Sequence, residues 1–228
     1  MRLLRPAVAL ASVLALGLSA CTTSTSSNGE ASKTADKSST AAATAVADSD
    51  VPKGDNTKTI YLVSKGFQHR FWQAVKEGAE DAGKKFGYKV EFVGPENEQA
   101  VTEQLNQLQT ALDSKPAAIG FAALDSGAAA DLLGKIKAAN IPVVAFDSGV
   151  DSDIPLSTVQ TDNNAAAAEA AKHMIELVGG KGKIGLICHD QTSQTGKQRC
   201  DGFKEYIKAN APGITLLPEQ VAGEVGLA

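Results

Sequence analysis

Residues 60–93 read IYLVSKGFQHRFWQAVKEGAEDAGKKFGYKVEFV and predict a strand, a helix and a second strand. The run Ile60–Ser64 is short, apolar and β-branched, as in a buried strand. Over Phe71–Phe86, apolar residues and alanines recur at helical spacing, and Gly87 is a typical helix stop. Tyr88–Val93 then predicts the second strand. A unit of this kind predicts parallel strands joined by a right-handed crossover.

The same alternation continues to about residue 150. The further predicted elements are a helix over 98–112, a strand Ala117–Ala122, a helix over 127–139 and a strand Val143–Phe146. Short apolar strands that alternate with helices are typical of a parallel sheet covered on both faces. We therefore predict an N-terminal α/β lobe over residues 58–150.

A second series of elements begins after Pro155. It consists of the predicted strands Ser157–Gln160, Lys183–His189 and Ile214–Leu217 and the predicted helices Asn163–Val178 and Thr195–Asn210. Such a set leaves a sheet edge and apolar helix faces uncovered, which a stable lobe avoids. We therefore expect residues 151–228 to form a partial C-terminal α/β lobe and the chain to be truncated. The predicted fold class is α/β, with two lobes built on parallel sheets and the second lobe incomplete.

The N-terminal segment has the features of an export signal over residues 1–20. Arg2 and Arg5 precede an apolar run that is too short to cross a hydrocarbon core of about 30 Å as a helix. The run ends in Leu-Ser-Ala-Cys21, which resembles the bacterial lipobox. This resemblance implies cleavage before Cys21 and a lipid anchor on its thiol that attaches the chain to the membrane. The alternative is a cysteine that merely follows a signal peptide.

Residues 21–57 are predicted to be a disordered tether, because they are mainly Ser, Thr, Ala, Lys, Asp and Gly and cannot offset the entropy of ordering. The rest of the chain is globular in composition, since 43% of the 228 residues are hydrophobic. The formal charge of −4 provides no broad positive field, which excludes nucleic acid as a partner.

Cys188 and Cys200 would lie outside the cytosol, where disulfides persist. They could pair, but the spacing does not place them at disulfide distance, and two buried free thiols are the interpretation favoured here. The sequence contains no CxxC motif and no His/Cys cluster, so we predict no metal site and no cofactor.

Ligands of open parallel sheets bind at the carboxyl ends of the strands, where this chain is polar. The octet from Lys65 to Trp72 follows the first strand and holds the only Trp and two of the seven Phe. Aromatic rings pack on the CH faces of a sugar, while Lys65 and His69 offer polar groups to its hydroxyls. The alternatives are that Phe71 and Trp72 start the apolar face of a helix and that Lys65 and His69 lie in a solvated loop.

Asp147 follows the apolar strand Val143–Phe146 directly. A fixed carboxylate there can accept hydrogen bonds from both hydroxyls of a vicinal diol, which makes Asp147 a candidate ligand-binding residue. A capping or turn role before Gly149 is the competing explanation.

The second lobe supplies further candidates after its strand Lys183–His189. Asp190 and Gln191 follow that strand, and Lys197 lies on the first turns of the next helix, so the three could close over a ligand from the other side. Arg199 is in the same helix and could also close over the ligand. The alternative is that Arg199 fixes this helix by pairing with a carboxylate.

The chain resembles the type I periplasmic binding proteins of the ribose-binding family from Ile60 to Leu217. The segments that carry the resemblance are KGFQHRFWQAVKEGAEDAGKKFGYKV, FVGPENE, PAAIGFAALDS, AANIPVVAFDSGV and the TDN before an Ala-rich helix. The resemblance implies two Rossmann-like lobes that close on a monosaccharide and are delivered to an ABC permease and ATPase. It also implies that Phe71 and Trp72 sandwich the sugar, that His69 replaces a polar position that is usually Asn, and that Asp147 binds the diol.

Two positions depart from the ribose binders, which carry Ser in place of Lys65 and Arg in place of Ser148. Lys65, the Gly-Pro after the second strand, Asp147 with Ser148, and Lys197-Gln198 are together similar to the branch that binds autoinducer-type furanoses. In that branch a Lys at the position of Lys65 contacts the ligand, whereas an Asp stands at the position of Lys197.

The resemblance therefore implies a non-enzymatic solute receptor of an importer. The alternative is an extracellular sugar or autoinducer receptor that feeds a chemoreceptor or a sensor kinase. A glycosidase needs two carboxylates about 5–10 Å apart across the scissile bond. Because no nucleophile motif such as GxSxG accompanies the Asp residues, we predict that the chain is not an enzyme.

Overall fold

The computed structural model describes residues 48–222. The predicted signal peptide, the predicted lipid attachment at Cys21 and most of the predicted tether lie outside the described residues. Within residues 48–222, no helix is both long enough and apolar enough to span a bilayer.

The described end of the predicted tether contacts the rest of the chain. It begins with a short 3₁₀ turn, Asp48–Asp50. Gly54 N donates to Phe86 O at 2.7 Å, and Asn56 N donates to Gly87 O at 2.9 Å. The segment that leads into the first strand is therefore paired with the end of the first helix.

Five parallel strands form the sheet of the first lobe, in the order β2-β1-β3-β4-β5. The strands are β1 Thr59–Val63, β2 Lys89–Val93, β3 Ala118–Phe121, β4 Val143–Phe146 and β5 Thr158–Val159. The helices that join the first four are α1 Arg70–Phe86, α2 Val101–Asp113 and α3 Ala130–Ala138. Since every pair in this sheet is parallel, the carboxyl ends of the strands meet at one edge.

The core of the first lobe lies between its sheet and its helices. The largest buried members are Val63, Leu108, Ile119, Phe121, Leu133, Ile136 and Val143. They come from the apolar strands and from one face each of α2 and α3, as the two hydrophobic periods predict.

The strand predicted to open the second lobe belongs instead to the first sheet. Ala145 and Phe146 of β4 pair with Thr158 and Val159 of β5. The sheet of the first lobe therefore continues beyond residue 150. The loop after β4 returns the chain to the edge of this sheet, and the chain enters the second lobe only after β5.

Up to residue 222, where the described part of the chain ends, the second lobe contains two helices and four short strands. These are α4 Asn163–Leu177, β6 Gly182–Ile184, β7 Ile187–Cys188, α5 Gln194–Asn210, β8 Ile214–Leu216 and β9 Gln220–Val221. Strand β6 pairs with β8, and β7 pairs with β9, both in parallel. Ala171, Phe203 and Ile207 are in the core between α4, α5 and these strands. Parallel sheets flanked by helices confirm the predicted α/β class.

The single strand predicted over Lys183–His189 is interrupted. Ile184 pairs with Leu216, and Ile187 pairs with Gln220. Between these two pairs the predicted strand advances by three residues, whereas its partner segment advances by four. The extra residue lies next to Pro218, which has no N–H to donate to the ladder. The break therefore follows from a bulge on the partner strand.

Cys188 and Cys200 form a disulfide, with their Cα atoms 5.5 Å apart. The expectation that two free thiols are favoured was wrong. The end of β7 packs against α5 because the intervening loop reverses the chain, and this brings the two Cα atoms within the usual disulfide range. A spacing of twelve residues does not reveal such a reversal.

Candidate ligand-binding site

A cavity of about 270 Å³ lies between the carboxyl edge of the first sheet and the start of α5. Its lining residues are Lys65, His69, Phe71, Trp72, Glu98, Asp147, His189, Thr195 and Arg199. The first six belong to the first lobe, and the last three belong to the second. Lys65, His69, Phe71, Trp72 and Asp147, which the sequence analysis selected, thus share one cavity.

Direct hydrogen bonds between the lobes border this cavity. Ser126 N donates to Thr192 O at 3.1 Å, and the Thr192 hydroxyl donates to Leu124 O at 3.0 Å. The Thr195 hydroxyl donates to the backbone carbonyl of Asp147 at 2.9 Å. The start of α5 is therefore held against the strand ends of the first lobe.

Gln104 of α2 joins the ends of two strands beneath the cavity. Its Nε2 donates to Ser64 O and to Ala122 O, each at 2.8 Å, and its Oε1 accepts from Leu124 N at 3.0 Å. The side chain is buried and bonds three backbone groups that would otherwise lack a partner. Gln104 thereby aligns the segments that carry Lys65 and the loop after β3.

Lys65 follows β1 and is only 3% exposed. Its Nζ lies 3.6 Å from Glu98 Oε2 and 4.0 Å from Asp190 Oδ2. A buried ammonium requires nearby carboxylates, because desolvation of an unpaired charge is costly. Lys65 is therefore a buried cation shared by both lobes, and the alternative of a solvated loop does not describe its environment.

Glu98 is the centre of the polar network in the cavity. Trp72 Nε1 donates to Glu98 Oε1 at 2.9 Å, and His189 Nε2 lies 2.9 Å from Glu98 Oε2. Burial by itself would raise the pKa of Glu98, but the hydrogen bonds from His189 and Trp72 and the charge of Lys65 outweigh it and lower the pKa to about 2. Glu98 is therefore ionised near neutral pH.

Glu98 is not among the ligand-binding residues predicted from the sequence, because helical spacing places it inside the helix predicted over 98–112. The helix α2 instead begins at Val101, so Glu98 lies in the loop after β2. Its position in the sequence could have identified Glu98 as a candidate, because Glu98 follows β2. The carboxyl end of β2 lies at the same edge of the sheet as those of β1 and β4.

The aromatic residues at the start of α1 have different environments. Trp72 is 2% exposed and packs edge to face on Phe71 and on Phe146, with ring centroids 4.8 Å and 6.3 Å apart. Phe71 is 47% exposed and offers free ring surface. Both interpretations of Trp72 therefore apply. Its side chain is buried as part of the apolar face of α1, and it also lines the cavity.

His69 caps α1, since its Nδ1 accepts from Phe71 N at 3.2 Å. In a neutral imidazole the second nitrogen then carries the hydrogen. His69 can therefore donate a hydrogen bond from Nε2 while it caps the helix.

Asp147 adopts a left-handed backbone, with φ of 57°. Its N donates to Val159 O at 2.9 Å, and its carbonyl accepts from Thr195, so both neighbours hold the residue in this conformation. Burial raises the pKa of the Asp147 carboxyl, against the lowering effect of Lys65 and Arg199. Among the described residues, no group hydrogen-bonds this carboxylate, which makes it available as an acceptor.

Arg199 lines the cavity from α5 and is oriented by the second lobe. Its Nε donates to Asn163 Oδ1 at 2.9 Å, and Asn163 Nδ2 donates to Thr161 O at 3.0 Å. The partner of Arg199 is therefore an amide at the start of α4, in place of the carboxylate considered as the structural alternative. Asn163 belongs to the TDN motif, so this motif orients a side chain of the cavity.

Three predicted ligand-binding residues do not line the cavity. Asp190 accepts from Thr192 N, from Ser193 N and from the Ser193 hydroxyl at 2.7–3.0 Å, and it contacts the cavity wall through Lys65 and His189. Gln191 is exposed. Lys197 Nζ donates to the Ser126 hydroxyl at 2.9 Å and so joins the two lobes outside the cavity.

Within residues 48–222, one cluster of side chains of metal-ligating types occurs, which consists of Cys188, Cys200 and Glu219. Their candidate ligand atoms lie within 4.8 Å of one another. The disulfide engages both sulfurs, so this group offers only the Glu219 carboxylate to a cation.

Comparison with known proteins assigns the chain to a family. A family model described as a periplasmic binding protein domain matches residues 60–226. The chain belongs to this family. The predicted type I periplasmic binding protein class is thereby confirmed. The family consists of binding proteins, in agreement with the prediction of a non-enzymatic protein.

The relatives are named as sugar-binding proteins. The D-apiose import binding protein of Actinobacillus succinogenes is 24% identical over 164 residues, which are 72% of this chain and 52% of that protein. The D-allose-binding periplasmic protein of Escherichia coli is 27% identical over 71% of this chain and 54% of its own length. The chain thus spans about half the length of these relatives.

A solved structure extends the likeness to three dimensions. An ABC transporter solute-binding protein from Agrobacterium vitis, with bound D-fucose, is 33% identical to this chain with a TM-score of 0.68. The match covers 72% of this chain and 58% of that protein.

Proposed function

We propose that this chain is the substrate-binding lipoprotein of a bacterial ABC importer and captures a monosaccharide or sugar-like molecule in the cavity between its lobes. The observation that carries the proposal is the composition of the cavity wall. An exposed aromatic ring, a carboxylate free to accept and donors from both lobes line one cavity.

The cavity groups match the chemistry of a sugar ring. Phe71 provides ring surface for the CH face of a pyranose or furanose. The Asp147 carboxylate can accept from two adjacent hydroxyls, while Arg199 and His69 can donate to others. Glu98 is already bonded by Trp72 and His189, so we assign it to the scaffold of the site.

The size of the cavity favours a single ring. Its volume of about 270 Å³ lies below the roughly 300–1,000 Å³ of pockets for drug-sized ligands. The names of the relatives agree, since they refer to D-apiose, D-allose and D-fucose. A monosaccharide, a polyol or an autoinducer-type furanose is therefore the proposed ligand class.

The proposed location and partners depend on the N-terminal segment. The signal sequence over 1–20 would export the chain, and lipid on Cys21 would attach it to the cell envelope. A permease and ATPase pair would receive the loaded protein. The relative named as an import binding protein favours this role over the alternative of a receptor that feeds a chemoreceptor or sensor kinase.

The only Trp of the chain provides a direct test. Because Trp72 lies in the cavity wall, ligand binding should change its fluorescence. We expect one compound from a panel of pentoses, hexoses, polyols and furanoses to give a saturable change at micromolar concentration. Absence of any response up to millimolar concentration would refute sugar capture.

The lipid anchor needs a separate test. Intact mass of the membrane-extracted chain should show diacylglycerol on the cysteine at position 21, and Cys21→Ser should release the protein from the membrane fraction. An unmodified N-terminus in the wild type would contradict the proposed attachment.

A further inference from the structure

The disulfide lies next to two residues of the cavity wall. Cys188 immediately precedes His189, and Cys200 immediately follows Arg199. Both cysteines also line an adjacent apolar cavity of about 330 Å³, together with His189 and Arg199. The disulfide therefore lies behind the second-lobe wall of the ligand cavity and joins its two parts covalently.

The strand that precedes His189 is held only weakly by its backbone pairing. Strand β7 has only two residues, and its ladder consists of Ile187 with Gln220 and Cys188 with Val221. The bulge beside Pro218 separates this ladder from the pairing of β6 with β8. A ladder of two pairs is marginal, so its backbone hydrogen bonds alone do not fix the strand.

The other end of the disulfide lies on a well-packed element. Helix α5 is 17 residues long, and its Phe203 and Ile207 are buried in the core with Ala167 and Ala171 of α4. The disulfide thus connects a short strand to a rigid helix. His189 is 48% exposed, and within residues 48–222 the partners of its side chain are Glu98 and Asp190.

We propose that the Cys188–Cys200 disulfide is a positioning element of the ligand site, which holds His189 against Glu98 of the opposite lobe. The proposal concerns the same cavity as the proposed function and depends on that function for its effect on sugar affinity. Its direct consequence, the placement of His189, does not depend on any ligand.

Cleavage of the disulfide should release this placement. A dithiol reductant supplies two electrons and two protons, the S–S bond breaks into two thiols, and the reductant becomes a cyclic disulfide. Strand β7 then loses its tie to α5, and the distance of 2.9 Å between His189 Nε2 and Glu98 Oε2 is no longer enforced.

NMR of the imidazole groups in the full chain tests the proposal. The chain has three His residues, His69, His173 and His189, and His189→Gln assigns the third signal. The hydrogen bond to Glu98 raises the pKa of His189 above 6.5 in the oxidised protein. We expect reduction, or Cys188→Ala with Cys200→Ala, to lower this pKa by about 0.5 pH unit or more. His173 is exposed on α4, so its imidazole signals should be the same before and after cleavage of the disulfide and serve as the internal control.

Two results would overturn the proposal. A pKa of His189 that is the same in the oxidised and disulfide-free proteins would show that other contacts place the imidazole. Loss of the far-UV circular dichroism in both disulfide-free forms would show that the bond holds the whole lobe together instead of one strand.

A second arm concerns affinity. If the fluorescence titration identifies a ligand, cleavage of the disulfide should weaken its binding by about three- to tenfold. If no ligand binds the oxidised chain, the proposed function fails, while the NMR titration still judges the positioning role.

Discussion

His189 Nε2 lies 2.9 Å from Glu98 Oε2, and the two residues are 91 positions apart in the chain. Glu98 comes from the loop before α2, and His189 follows β7, so the contact joins the first lobe to the second. Lys65 and Asp190 lie within 4.0 Å of the pair and complete an alternating set of charges. Charged side chains therefore make part of the contact between the lobes at the wall of the cavity.

The contribution of this pair to stability should depend on pH. The pKa of His189 is raised above 6.5 by its hydrogen bond to Glu98, so its contribution is complete below pH 6.5 and is lost as pH rises through the raised value. The pKa of Glu98 is lowered from 4.5 to about 2, so its contribution is complete above pH 4.5 and is lost as pH falls through about 2. The contribution of the pair is thus largest between pH 4.5 and 6.5.

Differential scanning calorimetry can measure this dependence. Since His189 is half-exposed, the pair contributes at most about 1 kcal/mol, equivalent to roughly 1–4 °C in Tm. We expect His189→Gln to lower Tm by that amount at pH 5.5 and by less at pH 8.5. Equal losses at both pH values would show that the charge of His189 does not contribute.

Glu98→Gln should destabilise the protein. The substitution keeps an acceptor for Trp72 but removes the carboxylate nearest to the buried Lys65. Because Glu98 is partly exposed, we expect a loss of roughly 1–3 kcal/mol in the free energy of unfolding, measured by urea denaturation. Glu77→Gln, on the exposed face of α1, is the matched control and should change it by less than about 0.5 kcal/mol. A similar small change in both variants would contradict the assigned role.

Asp147 allows backbone and side-chain effects to be separated. Asp147→Asn keeps a residue that tolerates the left-handed backbone at φ 57°, whereas Asp147→Ala does not and should cost about 1 kcal/mol of stability. Both variants lose the charged acceptor, so each should weaken sugar binding at least about tenfold without unfolding the first lobe. Asp131→Asn, at an exposed position of α3, is the control. Unchanged affinity by calorimetry in both variants would remove Asp147 from the site.

Gln104→Ala tests the connection beneath the cavity. The variant leaves Ser64 O, Ala122 O and Leu124 N without their side-chain partner in a buried region. We expect a loss of roughly 2–4 kcal/mol in the free energy of unfolding, because each buried polar group left unpaired costs about 1–3 kcal/mol. Gln109→Ala, whose amide bonds only Asp113 on the helix surface, should lose less than about 0.5 kcal/mol. Comparable losses would show that water replaces the amide of Gln104.

Much of the first lobe was predictable because its signals are local. Strand and helix periods placed every element from β1 to β4 within a few residues, and a parallel sheet brings all carboxyl strand ends to one edge. For this reason Lys65, Trp72 and Asp147 were correctly expected to share a cavity. Their assignment as ligand contacts stays a prediction.

Other features depend on contacts between distant segments. Glu98 was not predicted as a site residue, because the predicted helix began three residues before the start of α2. Lys197 was predicted to contact the ligand, but its side chain bonds Ser126. The pairing of β5 with β4 and the disulfide both require the chain to reverse through loops that have no periodic pattern.

The residue pattern was therefore sufficient for the α/β class, for the position of the site at the strand ends and for several of its side chains, because these follow from hydrophobic periods and the direction of parallel strands. The charge partners and the covalent bond between Cys188 and Cys200 depend on the three-dimensional arrangement of the chain. Such contacts are set by how loops and lobes pack in space, and distance along the chain carries almost no information about that packing.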